Sequence, residues 1–186
     1  MKTGFHYNEA DDTKRSKVYF EQIFAEKPKG GIVANPAFDV EASTAVGVGA
    51  DGLFVPIKCY KLVAAVGSSD TSIRIAKGSG IVKNDIIGTG AKAVKCTNVN
   101  TSNEGYDVVT VTLGVQLANG TTLYQAKAES AEAAEPILKP VFVTGNEVEA
   151  GKGDQRVRLI NGANLRKETA CVAEEVAALM PTIALV

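Results

Sequence analysis

The stretch that most restricts the fold of this chain is Tyr106-Asp107-Val108-Val109-Thr110-Val111-Thr112-Leu113-Gly114, where Val109, Val111 and Leu113 alternate with Thr110 and Thr112. Side chains two apart share one face of an extended strand, so an apolar row opposite a hydroxyl row describes a half-buried strand. Ser72-Ile73-Arg74-Ile75-Ala76 repeats the pattern, with Ile73 and Ile75 on one face and Arg74 on the other. Around these segments, short Val, Ile and Thr runs are punctuated by Gly, Asn, Asp and Ser at intervals of about 8 to 12 residues, as in an antiparallel all-β chain. Further strands are predicted over 53–66, where Pro56 places the start at an edge or a bend, over 91–100 and over 121–128.

The C-terminal third carries the same signals with one interruption. Glu129 to Glu135 has helix-forming residues, but Pro136 and Pro140 cut the propensity short, so a loop or a single turn is expected. After the turn at 144–154, Val157 and Leu159 alternate with Arg156 and Arg158. Val172, Val176 and Leu179 then recur at helical spacing and Pro181 ends the run, which predicts a short helix over 172–180 followed by a final strand, Thr182 to Val186. The predicted fold is mainly β: a compact antiparallel β-barrel or sandwich-like body with one short C-terminal helix and an N-terminal arm.

That arm, residues 1–29, differs from the body, 30–186. It holds His6, the acidic Glu9, Asp11 and Asp12, the basic Lys14, Arg15 and Lys17, and then Val18-Tyr19-Phe20-Glu21-Gln22-Ile23-Phe24. Val18, Phe20 and Phe24 fit a strand, while Phe20, Ile23, Phe24 and Lys27 fit a helical turn, so the periodicity leaves both conformations open. In either, Val18, Tyr19, Phe20, Ile23 and Phe24 form an apolar group beside the breaker Lys27-Pro28-Lys29-Gly30-Gly31 and need burial against the body or another subunit. These five are the candidate partner-binding residues.

The glycine-rich stretch Ala76 to Lys92 contains the residue types of a phosphate-binding loop. Gly78-Ser79-Gly80 nevertheless lacks the third glycine of a dinucleotide fingerprint, and Gly151-Lys152 is followed by Gly153 where a Walker loop needs a hydroxyl for magnesium. Both stretches lie between strands, with no helix N-terminus to face a phosphate. Turns are the better explanation: 77–80, 83–85 and 88–90 each reverse the chain, Asp85 caps one of them, and Ile81, Val82, Ile86 and Ile87 plug the spaces between.

Other chemistries are disfavoured in turn. With 20 Lys and Arg against 21 Asp and Glu, a formal charge of -1, there is no basic excess to grip nucleic acid. Cys59, Cys96 and Cys171 are far apart, and His6 is the only histidine, so neither a zinc set nor a Cys-His nucleophile is expected. The odd count argues against a disulfide framework and for small buried hydrophobes in a reducing compartment. No G-x-S-x-G elbow is present, and adjacent Glu174 and Glu175 splay apart on the predicted helix. Met1 to Arg15 is polar where a signal peptide would be apolar, and no apolar run is long enough to span a membrane. Asn100-Thr101-Ser102 and Asn119-Gly120-Thr121 match glycosylation acceptors and are read as turns. The expectation is a non-enzymatic protein without cofactor or metal.

Lys77-Gly78, Asn84-Asp85-Ile86-Ile87-Gly88, Tyr106 to Gly114, Asn119-Gly120-Thr121-Thr122-Leu123 and the tail Val157 to Val186 together resemble the head decoration, or auxiliary capsid, proteins of tailed bacteriophages, including head fibre proteins. The resemblance spans roughly residues 50–186 as a pattern of residue types. It implies a structural virion protein on the capsid surface, made in the host cytoplasm, that binds the major capsid protein lattice and stabilises the shell. It also implies a homo-oligomer, with a trimer as one form, and supplies no catalytic residues. The alternative expectation is a ligand- or glycan-binding β module, such as the capsid base of a head fibre, although the chain has no Trp and sugar platforms lean on stacking rings.

Overall fold

The computed structural model describes residues 17–186. The expectations for His6, Lys14, Arg15, the acidic trio and the leader region fall outside those residues. In chain order the strands are β1 Phe20–Glu26, β2 Gly31–Val33, β3 Ala45–Val48, β4 Phe54–Pro56, β5 Cys59–Lys61, β6 Ser72–Ala76, β7 Ile86–Gly88, β8 Ala93–Lys95, β9 Asn98–Asn100, β10 Tyr106–Thr110, β11 Thr122–Gln125, β12 Phe142–Thr144, β13 Gln155–Val157, β14 Leu159–Leu165 and β15 Ile183–Leu185, with helix α1 at Glu174–Ala177 between the last two.

The fold is mainly β, and its largest sheet curls into a half-barrel. That sheet runs β1-β14-β12-β3-β4-β2-β13, with β15 also on β14. Most of its pairs are antiparallel, while β2 with β4 and β14 with β15 are parallel. A three-stranded sheet runs β6-β10-β9 and a four-stranded sheet β5-β11-β7-β8.

The alternating segments bury the side chains their pattern assigns inward, although β10 ends at Thr110 and Val111 to Gly114 continue beyond it outside any strand. Ile73, Ile75, Val109, Val111 and Leu113 are buried and Arg74, Thr110 and Thr112 exposed. β6 and β10 pair in unbroken register from Tyr106 opposite Ala76 to Thr110 opposite Ser72. Two longer predicted strands are each divided between sheets. The 53–66 run breaks after Pro56, so β4 joins the large sheet and β5 the four-stranded one. The 91–100 run breaks at Cys96, whose N–H donates to the Asp85 carbonyl and whose thiol donates to the Val82 carbonyl. Those bonds divert the chain from β8, paired with β7, to β9, paired with β10.

Two local expectations need correction. The helix is confined to Glu174–Ala177, and although Val172 and Val176 are buried, Leu179 is 51% exposed. The last residues before Pro181 tighten instead, with N–H of Leu179 bonding to Val176 and of Met180 to Ala177, so the stripe loses its third member. Likewise Ile81 and Ile87 plug the turns of 76–92, but Val82 points outward at 55% exposure. Residues 129–135 form a loop.

Three apolar clusters stabilise this arrangement. One gathers Val143, Ile160, Leu165, Val172, Val176 and Met180 around α1; a second gathers Tyr60, Ile73, Ile75, Val109 and Leu113; a third holds Val33, Val46, Val157 and Leu159. β11 serves two of them, because consecutive residues point to opposite faces: Leu123 enters the second cluster and Tyr124 the first. The same alternation in β5 buries Tyr60 in the second cluster and turns Cys59 and Lys61 the other way.

Candidate docking strand and the pocket at its root

The open conformational question about 18–24 resolves as strand from Phe20 onward. β1 pairs antiparallel with β14 from Phe20 opposite Leu165 to Glu26 opposite Ile160, with register irregularities along the way. Among the described residues it is the terminal strand of its sheet and pairs with β14 alone. The predicted arm therefore ends as part of the largest sheet, clamped at both ends by ion pairs from β14 or its flank: Arg158 to Glu26 and Arg166 to Glu21. Both pairs are solvent-exposed, so each contributes at most about 1 kcal/mol.

The five candidate residues divide into anchors and outward groups. Tyr19 is buried, and Phe20 packs against the cluster around α1. Val18, Ile23 and Phe24 are exposed by 49%, 36% and 56%. Ile23 and Phe24 are consecutive, which in a regular strand would put them on opposite faces; the register shift between Ile23 and Ala25 marks the irregular backbone at this point. The Phe24 ring lies over Gly162 of β14, where an added Cβ would come within 2.8 Å of its Cε2. The Val18 carbonyl accepts a bond from the Thr169 hydroxyl, which ties the start of the strand to the loop after β14.

At the root of β1 lies a pocket of about 280 Å³ whose lining includes Lys17, Glu41, Cys59, Lys61, Lys77 and Cys171. Glu41 is its hub. The Lys17 ammonium and the Cys171 thiol donate to its two carboxylate oxygens, the thiol at 3.0 Å, and the Tyr19 phenol lies near them. Burial would raise the Glu41 carboxyl, but the Cys171 and Lys17 donors, the Lys17 charge and the nearby Tyr19 phenol outweigh it and hold the group below its ordinary range. Burial and the Glu41 charge push the Tyr19 phenol up.

The backbone under Glu41 is fixed by a hydroxyl network. Its carbonyl accepts from Thr44 at 2.7 Å and Thr144 at 3.0 Å, and the Thr144 Oγ1 in turn accepts from the Thr44 N–H. Ser43, fully buried with φ of 69°, accepts from the Cys171 N–H at 2.9 Å. These residues are remote in sequence and carry no motif, and only the repeated hydroxyls at Ser43-Thr44 hint at a fixed turn.

Cys96 is buried, but Cys59 and Cys171 are half-buried and share this pocket, which corrects the expectation that all three serve as small buried hydrophobes. Among the described residues, no group of three His, Cys, Asp or Glu side chains is arranged to hold a metal ion, and no helix is long and apolar enough to cross a membrane.

The turn residue Asp85 has a larger role than capping. Its Oδ2 accepts from Val82 N–H at 3.0 Å, from Lys58 Nζ at 2.8 Å and from Tyr60 OH at 3.1 Å. Burial and then the Asp85 charge drive the Tyr60 phenol strongly upward. This largely buried pair joins the 82–85 turn to β5, and its groups are committed to each other. Gly80, at φ of 68°, packs directly on Phe38 and explains one glycine of the former phosphate-loop candidate. The Asn100 side chain accepts from both the N–H and the hydroxyl of Ser102, closing a turn at one of the glycosylation-like triplets.

No protein-family model, curated protein or solved structure matches this chain.

Proposed function

We propose that this protein is a capsid decoration protein of a tailed bacteriophage, docking on the major capsid protein lattice through β1 and stabilising the shell from outside. The observation that carries the reading is the division of labour in Val18 to Phe24: Tyr19 and Phe20 root the segment in the body, while Val18, Ile23 and Phe24 stand apolar in solvent at a sheet edge. Exposed apolar side chains clustered on one element are a partner surface. The resemblance of residues 50–186 to phage auxiliary capsid proteins names the partner, and the absence of a nucleotide motif and of a basic excess in the sequence agrees with a structural role. The virion surface is the corresponding location, and assembly as a homo-oligomer, including a trimer, follows from the same resemblance.

The test uses surface changes, because deleting residues 1–29 would strip β14 of one of its three partners and uncover the site of Phe20. Ile23→Ser with Phe24→Ser should leave the melting temperature within a few degrees of wild type and weaken sedimentation with expanded, undecorated heads at least tenfold. Undiminished binding by a folded double variant would remove β1 as the docking element.

The pocket beside Glu41 favours a second reading, a small-ligand or glycan module. Among the described residues Phe38 is the one ring in its lining, a poor platform for sugar stacking. A glycan array with reproducible hits that Lys61→Ala or Lys77→Ala abolishes would promote this reading above docking.

A further inference from the structure

Cys59 and Cys171 reach the same pocket from two separately anchored pieces of backbone. Cys59 is on β5, held by its pairing with β11, where Tyr124 stands opposite. Residues 59 and 61 share the face of β5 opposite to buried Tyr60, and Lys61 donates from that face to the Glu168 carbonyl, three residues before Cys171. The face that carries Cys59 is therefore the face applied to the 168–171 loop. Cys171 is fixed in turn by its N–H on Ser43 and its thiol on Glu41. Both thiols are free and half-buried, and the pocket opens them to small reagents.

We propose that Cys59 and Cys171 are a dithiol modification site that a small disulfide oxidant, such as oxidised glutathione, converts to a bridge between β5 and the loop ahead of α1. The Cys59 sulfur attacks one sulfur of the oxidant, its proton passes to water, and one molecule of the small thiol leaves. Cys171 then attacks the Cys59 sulfur of the mixed disulfide and expels the second small thiol, its own proton leaving by way of Glu41 Oε2 or solvent. Two protein thiols are oxidised to one disulfide, and one oxidant disulfide is reduced to two thiols. The neighbouring Cys59 thiol, burial and the Glu41 charge all push the Cys171 thiol up, so Cys171 is the poorer first nucleophile and enters only in the second step, where attack is intramolecular.

The bridge closes a loop of about 110 residues and ties the four-stranded sheet to the cluster around α1. It also removes the thiol donor on Glu41, leaving the Lys17 ammonium there at the root of β1.

The folded full-length chain, incubated with oxidised glutathione and then alkylated, should yield a Cys59–Cys171 linked peptide by mass spectrometry and lose two hydrogens in intact mass. A Cys96→Ser variant should bridge as wild type, and Cys59→Ser or Cys171→Ser should not. The bridged protein should melt roughly 5–15 °C higher than the reduced one, and dithiothreitol should reverse the gain. The proposal is overturned by a glutathione adduct at Cys59 that never resolves, by a bridge that includes Cys96, by thiols that react only in urea, or by a bridged form no more stable than the reduced one.

Discussion

The β6–β10 pair and β1 are both antiparallel ribbons, yet they are held by different means. In β6–β10 every second side chain enters a core, the register is unbroken, and the ribbon is specified by apolar burial. Slipping it by one residue would bring Arg74 and Thr110 inward and Ile73, Ile75 and Val109 out to water. In β1 only Phe20 retains appreciable burial, the register shifts repeatedly, and the strand is held by backbone bonds to β14 and by arginines at its two ends. A segment whose pairing does not depend on its side chains leaves those side chains available for a partner.

The contrast can be broken or sharpened by substitution. The largest loss is expected at the buried polar tie of the second cluster: Asp85→Ala leaves Lys58 and Tyr60 without their acceptor and should cost about 3–5 kcal/mol by urea denaturation. Ile73→Ala, which empties space in a closed core, should cost about 2–5 kcal/mol. Ile23→Ala in β1 removes a side chain of the same kind and should change stability by no more than about 0.5 kcal/mol. A loss at Ile23 as large as that at Ile73 would mean that β1 is specified by burial after all.

The smallest effect is a pH dependence. Glu41 has a depressed folded-state pKa, so its contribution is complete above the unfolded value, near pH 4.5, and is lost as pH falls from there through the folded value. Melting curves of wild type and Glu41→Gln should therefore differ most at neutral pH and converge in acid. A difference that persisted unchanged well below pH 4 would exclude Glu41 as the source.

What could be read in advance follows from the same contrast. Ile73, Ile75 and Val109 declared β6 and β10 because one face of each is buried and the other wet. The turns at Gly78, Gly80 and Asp85 were legible because left-handed backbone and turn capping select few residue types. β2, β3 and β12 were not, since three or four residues cannot establish a period. The division of 53–66 and 91–100 between sheets was hidden for another reason: alternation reports which face is buried and says nothing about which strand lies alongside. The pocket was least legible, because Lys17, Glu41, Cys59 and Cys171 meet only through pairings distant in sequence. The outward set Val18, Ile23 and Phe24 was marked as apolar and unpartnered, while the inward turn of Tyr19 depended on Glu41, which nothing near it in the chain foretells.

The bare backbone of Gly162 has one further consequence. With no side chain there, the Phe24 ring settles against β14, and Ala25 closes in beside it. Much of the rotational freedom that an exposed phenylalanine surrenders on contact is then already gone before any encounter, so a partner meets a ring whose direction was set when the sheet formed.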